Sequence, residues 1–258
     1  ILIKKMKMSD KMRLDRFLAN SGIGTRKEVK EILKKRKIKV NNVIVVDGSK
    51  HINEEKDVIH YDGNEISYKP FIYIMMNKPN GVISATEDNE HKTVIDLLGE
   101  KYKTYSIFPV GRLDIDTEGL LLLTNDGQLA HNLLSPNKHV DKKYYVELRD
   151  PVSEKNIEDL ENGIKLEEGF ITKDAKVKVI ENSEIPIDKS NGHRNISKAC
   201  ITIKEGKYHQ VKRMFRAIGN KVTYLKRIEM GNLKLDKDME LGQYRELSQK
   251  EINLLKNK

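Results

Sequence analysis

The chain of 258 residues contains one cysteine, no tryptophan and few other aromatic residues. A single cysteine, Cys200, excludes an intramolecular disulfide, which fits a reducing compartment. The apolar run at residues 120–123 is far too short to cross a bilayer, and the Lys-rich start has no apolar signal core. We therefore expect a soluble, cytoplasmic protein that does not bind membranes.

Several signatures of common enzyme classes are also missing. No glycine-rich phosphate loop ends in Lys-Ser or Lys-Thr, no G-x-G-x-x-G follows a strand, and no His-x-x-x-His or Cys-x-x-Cys pair occurs. The seven histidines are scattered along the chain, and we interpret them as ordinary surface or hydrogen-bonded residues. Nucleotide hydrolysis, dinucleotide redox chemistry and zinc hydrolysis lose support, and we expect no metal site.

Positive charge is abundant and unevenly distributed. The net charge is +9, and residues 1–62 contain 16 Lys and Arg against 9 Asp and Glu, so this quarter of the chain carries +7. Such a basic segment favours a polyanionic partner, nucleic acid above all. Residue 1 is Ile and a cleaner pattern begins at Met12, so we interpret residues 1–11 as a leader or a remnant of cloning.

The basic segment predicts two helices followed by a hairpin. Apolar residues at helical spacing over 14–18 predict a first helix that ends at Gly22. Thr25 and Glu28 form a capping box that starts a second helix with basic exposed faces. Asn41-Asn42 then lies between two short apolar runs and suits a tight hairpin turn.

This segment resembles the S4 RNA-binding domain, on the residues from Arg13 to Leu18, through Thr25-Arg26-Lys27, to Val40-Asn41. The resemblance implies that its exposed cations contact structured RNA. We name eight of them as RNA-binding residues: Arg13, Arg16, Arg26, Lys27, Lys30, Lys34, Lys35 and Lys37. The run from Lys34 to Lys37 is equally explained as a solvated helix end, where cations suit the helix dipole.

The rest of the chain mixes strands and helices without a regular βαβ rhythm, which favours an α+β fold. We divide it into an S4-like domain at residues 12–66, a linker at 67–70 and a larger domain at 71–258. Residues 181–198 are polar and predict an exposed loop. Strands are predicted at residues 71–76, 120–124, 143–148, 175–180 and 199–203, and helices at 93–98, 128–134, 153–162 and 210–218.

The stretch from Pro109 to Gly127 is the most informative part of the larger domain. Gly111 and Gly119 bracket Arg112, Asp114 and Thr117 in a polar loop that precedes an apolar strand. A rigid scaffold can present a carboxylate to a ligand from such a loop. On the residues alone, Asp114 could equally pair with Arg112 or cap a turn.

Three separated blocks extend the pattern, and together they resemble the RsuA/RluB/RluE/RluF family of pseudouridine synthases. The closest likeness is to the RsuA-like members that act on small-subunit ribosomal RNA. The blocks are Gly111-Arg112-Leu113-Asp114 with Thr117 and Gly119, Lys142-Lys143-Tyr144, and Glu205 to Met214. The resemblance implies a mixed, mainly antiparallel catalytic domain with flanking helices.

The resemblance also implies roles for four residues. Asp114 is the catalytic aspartate, Tyr144 stacks on the target base, Lys212 is the cation beside the aspartate, and Arg112 enters the RNA stack when the nucleotide leaves it. Asp116 falls at a variable position and is taken as structural or incidental. Tyr144 could instead be an ordinary core tyrosine of a strand.

The implied reaction converts a uridine of ribosomal RNA to pseudouridine. It exchanges no electrons and no external group, so we expect no cofactor. The carboxylate acts as a nucleophile or as a base at C2′, and a nearby ammonium keeps it ionised in either role. Alternatives are a synthase acting on large-subunit RNA, a hydrolase that releases the base, and a non-catalytic S4-type RNA-binding protein. We expect a monomer acting on structured RNA or an assembling ribosomal subunit.

Overall fold

The computed structural model describes residues 12–54, 56–66, 69–135, 138–167, 169–182 and 197–256, with residues 103 and 104 described by their backbone alone. Residues 1–11, interpreted above as a leader, and residues 67 and 68 of the expected linker lie outside the described residues. The chain forms two compact units, which divide between Ile72 and Tyr73. Residues Leu98–Ile107 group with the first unit, although they lie within the segment that the sequence analysis placed in the larger domain.

In its described residues, the first unit has two α-helices, a four-stranded antiparallel sheet and a separate strand pair. The elements are β1 (Met12–Arg13), α1 (Leu14–Asn20), α2 (Arg26–Lys34), β2 (Ile38–Val40), β3 (Val43–Ile44), β4 (His51–Ile52), β5 (Ile59–Tyr61) and β6 (Asn64–Glu65). The sheet order is β3-β2-β5-β6, and β1 pairs with β4. A 3-10 helix at Glu100–Tyr105 belongs to the same unit.

Local sequence signals account for this arrangement. The capping box is confirmed, because Thr25 accepts a hydrogen bond from the backbone of Glu28 and the Glu28 carboxylate accepts one from the backbone of Thr25. Asn41 and Asn42 both have positive φ, at 50° and 66°, as the predicted hairpin requires. The helices pack on the sheet through a core that includes fully buried Leu14. Complete burial of such a side chain contributes up to about 1.5–3 kcal/mol.

The second unit is built on one mixed sheet. Its strands are β7 (Tyr73–Lys78), β8 (Phe108–Pro109), β9 (Glu118–Thr124), β10 (Lys142–Leu148), β11 (Lys176–Asn182), β12 (Ser197–Ile203), β13 (Val222–Met230), β14 (Leu233–Lys234) and β15 (Tyr244–Glu246). The helices are α3 (Gly127–Leu134), α4 (Glu154–Glu161), α5 (Gln210–Ala217) and α6 (Gln249–Lys256).

The strand order of this sheet is β11-β12-β10-β13-β9-β7-β15. Its strand pairings are antiparallel except β13 with β9, which is parallel, so the predicted α+β, mainly antiparallel class is confirmed. Helices α3 and α6 pack on the sheet through an apolar core.

Strand β9 is central, and its sequence shows why. Every residue of β9 is buried, which matches its unbroken apolar run, whereas β10 alternates between buried and half-buried positions. At the start of β9, Gly119 has φ +101° and pairs with Arg227 of β13. A Cβ at Gly119 would lie 2.2 Å from the Arg227 carbonyl oxygen. Glycine is therefore required for the parallel pairing that joins β9 to β13.

Three sequence expectations differ from the structure. Residues 93–98 are not a helix, because the backbones of Lys92 and Val94 are hydrogen-bonded to Ile83, which holds Thr93 in an extended bridge. Strand β13, nine residues long, was not predicted, because Lys226, Arg227 and Glu229 interrupt its apolar residues. The predicted loop at 181–198 is strand at both ends, and residues 183–196 lie outside the described residues.

Among the described residues, no helix is both long enough and apolar enough to cross a membrane.

Candidate active site

The loop that carries Asp114 is clamped from two sides before it enters β9. Ser84 bonds both the backbone N–H and the carbonyl of Leu113, each at 3.0 Å. Gly81 donates its backbone N–H to the Ile115 carbonyl at 2.9 Å. A turn within the loop is closed by a hydrogen bond from the Thr117 N–H to the Asp114 carbonyl. The backbone of Asp114 is thus fixed by its neighbours on both sides.

Lys78 is the third support of this loop. Its side chain is fully buried, and its ammonium donates to the carbonyls of Pro79, Ile115 and Thr117 at 2.9, 3.2 and 2.9 Å. Burial lowers the pKa of Lys78 to about 8, so the ammonium is still largely protonated near neutral pH. One buried cation therefore binds three carbonyl oxygens of this region, and these bonds satisfy its own three N–H donors.

The Asp114 carboxylate faces a lysine of α5 and the histidine that precedes this helix. Lys212 Nζ lies 3.5 Å from Asp114 Oδ2, and His209 Nε2 lies 3.5 Å from Asp114 Oδ1. Arg112 forms no ion pair with Asp114 among the described residues, and the carboxylate caps no turn there. Neither pairing with Arg112 nor capping of a turn therefore explains Asp114. Its side chain instead faces the half-buried ammonium of Lys212.

Asp116 is closer to Lys212 than Asp114 is. Lys212 Nζ lies 2.5 Å from Asp116 Oδ1, so the ammonium sits between the two carboxylates. Burial opposes ionisation of Asp116, but the hydrogen bond and charge of Lys212 outweigh it and hold the pKa of this carboxyl below its usual range. The expectation that Asp116 is incidental stays untested, yet the residue is a direct partner of Lys212.

A small pocket opens beside these groups and joins all three sequence blocks. Tyr144 of β10 is 7% exposed and lines the pocket, together with Arg112, Asp114, Thr117 and others. The Thr117 hydroxyl is buried and has no hydrogen-bond partner in the described part of the chain. Arg112 is exposed at the rim. The pocket therefore brings an aromatic face, a carboxylate and a free hydroxyl together.

The entry to α5 determines where His209 and Lys212 lie. His209 precedes the helix in a left-handed conformation, with φ 48°. Gln210 is buried and ties the preceding loop down, because it accepts from the Lys207 N–H and donates to the Glu205 carboxylate. Lys212 then follows on the first turn of α5 and reaches back to the Asp114 loop.

Sequence reasoning missed three residues of this region. Lys78 was given no role, and His209, although it lies within the block from Glu205 to Met214, was interpreted as an ordinary histidine. Arg227 gave no signal at all. It lies opposite Tyr144 in the β10–β13 pairing, is 2% exposed and donates from Nε to the Leu120 carbonyl at 2.8 Å. Arg227 thus places a buried positive charge beside Tyr144 in the sheet.

Cavity size alone would not identify this site. A wider cavity of about 860 Å³ runs along residues 236–245 and contains none of the predicted site residues. No group of three or more His, Cys, Asp or Glu suited to a metal ion is found among the described residues. The candidate site is therefore defined by its side chains, and the expected absence of a metal stays a prediction.

The eight predicted RNA-binding residues of the first unit are all exposed. Three of them form ion pairs, Arg13 with Asp15, Lys34 with Glu31 and Lys37 with Asp62. Exposed pairs of this kind contribute only about 0–1 kcal/mol, so they do not prevent these cations from binding phosphate. The other five are Arg16, Arg26, Lys27, Lys30 and Lys35, which have no ion pair within the described ranges.

Two family models match the chain. A model described as RNA pseudouridylate synthase matches residues 72–217, and a model of the S4 domain matches residues 12–59. The first covers the loop of Asp114, Tyr144 and Lys212, and the second covers the exposed cations of the first unit.

Full-length relatives agree with both models. The chain is 48% identical over 244 residues to the uncharacterized RNA pseudouridine synthase YtzG of Bacillus subtilis, covering 95% of this chain and 98% of that one. It is 39% identical over 242 residues to ribosomal small subunit pseudouridine synthase A of Vibrio cholerae, covering 93% and 98%. A solved crystal structure of a pseudouridylate synthase matches with TM-score 0.63 and 36% identity, covering 95% of this chain and 99% of that one.

Proposed function

The chain belongs to the RNA pseudouridylate synthase family, and we propose that it isomerises one uridine of small-subunit ribosomal RNA to pseudouridine with Asp114 as its catalytic carboxylate. The catalytic role proposed for Asp114 rests on one observation, which is that the structure brings Asp114 close to Lys212 and Tyr144. These residues come from three separated sequence blocks, yet Lys212 lies 3.5 Å from the Asp114 carboxylate and Tyr144 lines the same pocket.

The reaction needs only groups that this site supplies. The N1–C1′ glycosidic bond breaks, the uracil rotates, and a C5–C1′ bond forms while the proton at C5 is lost and N1 gains one. Atoms and electrons balance within the nucleotide, so no cofactor is required. Asp114 acts either as nucleophile on the sugar or as base at C2′. Both roles need an ionised carboxylate, which the neighbouring Lys212 ammonium favours.

The target uridine has to leave its stack before it can reach Asp114. Flipping a nucleotide out of a duplex or stacked loop costs a few kcal/mol. Stacking of the uracil on the pocket face of Tyr144 offsets about 1–3 kcal/mol of that cost. Arg112, exposed at the rim, takes the place that the nucleotide vacates in the RNA.

Small-subunit ribosomal RNA is the proposed substrate because the Vibrio cholerae relative, similar over nearly its whole length, is named for the small ribosomal subunit. The exposed cations of the S4 domain supply affinity for structured RNA. We propose that the protein acts in the cytoplasm as a monomer, on naked RNA or on an assembling subunit. Large-subunit RNA is the alternative that the experiment below distinguishes.

The test is nucleotide-resolution pseudouridine mapping after incubation with wild type or with Asp114→Asn. Unmodified small-subunit and large-subunit ribosomal RNA are each offered naked and as partial assemblies. We expect one new site in small-subunit RNA with the wild type. Asp114→Asn, which keeps the size of the side chain, should fold and bind RNA but react at least about 10³-fold more slowly.

Three outcomes would change the assignment. A new pseudouridine found only in large-subunit RNA would show that the proposed substrate is wrong and that the proposed reaction is correct. Retained activity of Asp114→Asn would exclude Asp114 as the catalytic group. Release of free uracil with an abasic product would show hydrolysis of the glycosidic bond in place of isomerisation.

A further inference from the structure

A second cavity adjoins the catalytic pocket on the far side of Lys212. It has a volume of about 490 Å³ and lies between the end of β10 and the turn that joins α5 to β13. Lys212 and Asp116 form part of its lining, so it shares a wall with the site of Asp114. We call this cavity the basic groove. Its cations are Arg149, Lys212, Arg216 and Lys221.

The charges of the groove are not balanced by the protein. Asp116 is the single carboxylate of its lining, and it is already paired with Lys212. Arg216 and Lys221 are both exposed and form no ion pair within the part of the chain that the structure describes. Two free cations therefore face the groove. An anion bound between them would complete the charge balance.

The groove walls are held in place by a buried side chain. Asn220 is 7% exposed, and its amide bridges two loops. It donates to the Asp150 carbonyl at 2.8 Å and accepts from the backbone N–H groups of Asp150 and Lys221 at 3.1 and 2.7 Å. Arg149 is fixed at the same junction by hydrogen bonds to the Asp150 carboxylate. The groove is therefore a preformed site, in which Arg149 and Lys221 flank this junction and Lys212 and Arg216 are carried on α5.

The reaction itself indicates which anion belongs there. A flipped nucleotide stays joined to the RNA through its two phosphodiesters, because it rotates about its own backbone. When its base enters the pocket beside Asp114, the flanking phosphates have to lie at the pocket rim. The basic groove begins at Lys212, whose ammonium lies 3.5 Å from the Asp114 carboxylate.

We propose that the basic groove binds the RNA backbone next to the flipped nucleotide, with Arg216 and Lys221 as its phosphate-binding residues. This inference rests on the proposed action on a flipped uridine. Arg216 also lies in the last turn of α5, where a cation suits the helix dipole. The experiment therefore has to separate RNA binding from helix stability.

The test uses the double variant Arg216→Gln/Lys221→Gln and measures pseudouridine formation and RNA binding by fluorescence anisotropy across a range of KCl concentrations. The RNA is a fragment that the wild type modifies. We expect KM to rise roughly tenfold and the slope of log affinity against log salt to flatten by roughly 1–2, as the loss of two phosphate contacts requires. The charge-retaining variant Arg216→Lys/Lys221→Arg should recover most of the salt slope.

A matched control removes the same charge elsewhere. Lys176 and Lys178 are exposed on the edge strand β11 and have no ion pair among the described residues. Lys176→Gln/Lys178→Gln should leave KM and the salt slope unchanged. Thermal unfolding of all variants checks that α5 is intact.

The proposal is overturned if the groove variant keeps the wild-type KM and salt slope. It is also overturned if KM and the salt slope change as much in the control variant as in the groove variant. A wild type that forms no pseudouridine in any ribosomal RNA would instead overturn the proposed function. In that case the anisotropy slopes, measured on a structured ribosomal RNA fragment that the wild type binds, still decide whether the groove binds RNA.

Discussion

At the scale of single residues, two neighbouring carboxylates compete for one ammonium. Lys212 Nζ lies 2.5 Å from Asp116 and 3.5 Å from Asp114, so distance alone would favour Asp116 as its partner. Asp114, however, lines the pocket with Tyr144, whereas Asp116 lines the basic groove. The proposal of Asp114 as the catalytic carboxylate therefore rests on its position in the pocket and not on its distance from Lys212.

This assignment predicts unequal effects of substitution. Asp116→Asn should lower the single-turnover rate by about tenfold or less, because Lys212 keeps Asp114 as a partner. Lys212→Met should lower it by about 10²-fold, because Asp114 then loses its nearest cation. Single-turnover pseudouridine formation with saturating enzyme measures both rates. A loss in Asp116→Asn as large as that in Asp114→Asn would identify Asp116 as an essential carboxylate.

Lys78 acts on the same loop through its backbone. In Lys78→Met the carbonyls of Pro79, Ile115 and Thr117 lose their shared donor, so we expect the free energy of unfolding to fall by about 2–4 kcal/mol. Urea denaturation measures the change. Lys92→Met, an exposed lysine before the bridge at Thr93, is the control and should change stability by less than about 0.5 kcal/mol. Equal stability of the two variants would rule out this role for Lys78.

At the scale of the elements, helix α6 is joined to β15 by one arginine. Arg245 of β15 bonds Glu251 of α6 at 2.7 and 2.9 Å and also bonds Asp236. Ser248, just before α6, donates to the same Glu251 carboxylate. The hydrogen bond from Arg245, followed by those from Ser248, lowers the pKa of Glu251 to about 2. The ionised form of Glu251 therefore stabilises the packing of α6.

A pH dependence follows from this shift. Glu251 is harder to protonate in the folded chain than in the unfolded chain, so its contribution is full above the usual glutamate pKa and is lost as pH falls toward 2. Between pH 6 and pH 3, the wild type should lose about 1–2 kcal/mol more stability than Glu251→Gln, allowing for partial solvent screening. Urea denaturation of both proteins at several pH values measures the difference. Parallel stability curves would contradict the prediction.

At the scale of the whole molecule, charge is divided unequally. Residues 1–62 hold +7 of the net +9, and the eight predicted RNA-binding cations there are all exposed. The second unit carries the pocket. We therefore expect the S4 domain to provide much of the affinity for RNA and the second unit to provide the chemistry.

The triple variant Lys34→Gln/Lys35→Gln/Lys37→Gln tests this division. Its affinity for ribosomal RNA should fall by roughly tenfold or more at moderate salt, and the salt slope should flatten by about 2. Pseudouridine formation at saturating RNA should persist. The charge-matched control is Lys176→Gln/Lys178→Gln/Lys250→Gln in the second unit, with no expected change in affinity. Unchanged binding by the first variant would remove the role proposed for these lysines.

The sequence by itself determined the features that depend on nearby residues. The capping box of Thr25 and Glu28, the positive φ of Asn41-Asn42 and the buried run of β9 are local effects, so their patterns predicted them correctly. The three motif blocks were likewise sufficient to identify the family. Each motif lies within one short stretch of sequence, so it can be identified without knowing which residues it contacts in the fold.

Only the tertiary structure decided which distant side chains meet. Lys212 and Asp116 are 96 positions apart, and Lys78 reaches the carbonyl of Thr117 across 39 positions. Residues 93–98 form no helix despite their local pattern, because the extended bridge at Thr93 pairs this segment with Ile83. These contacts form only when the strands have paired and the helices have packed on the sheet. The register of that pairing depends on the packing of the whole sheet. The clamp on Asp114, the place of Asp116 and the basic groove could therefore be seen only in the folded chain.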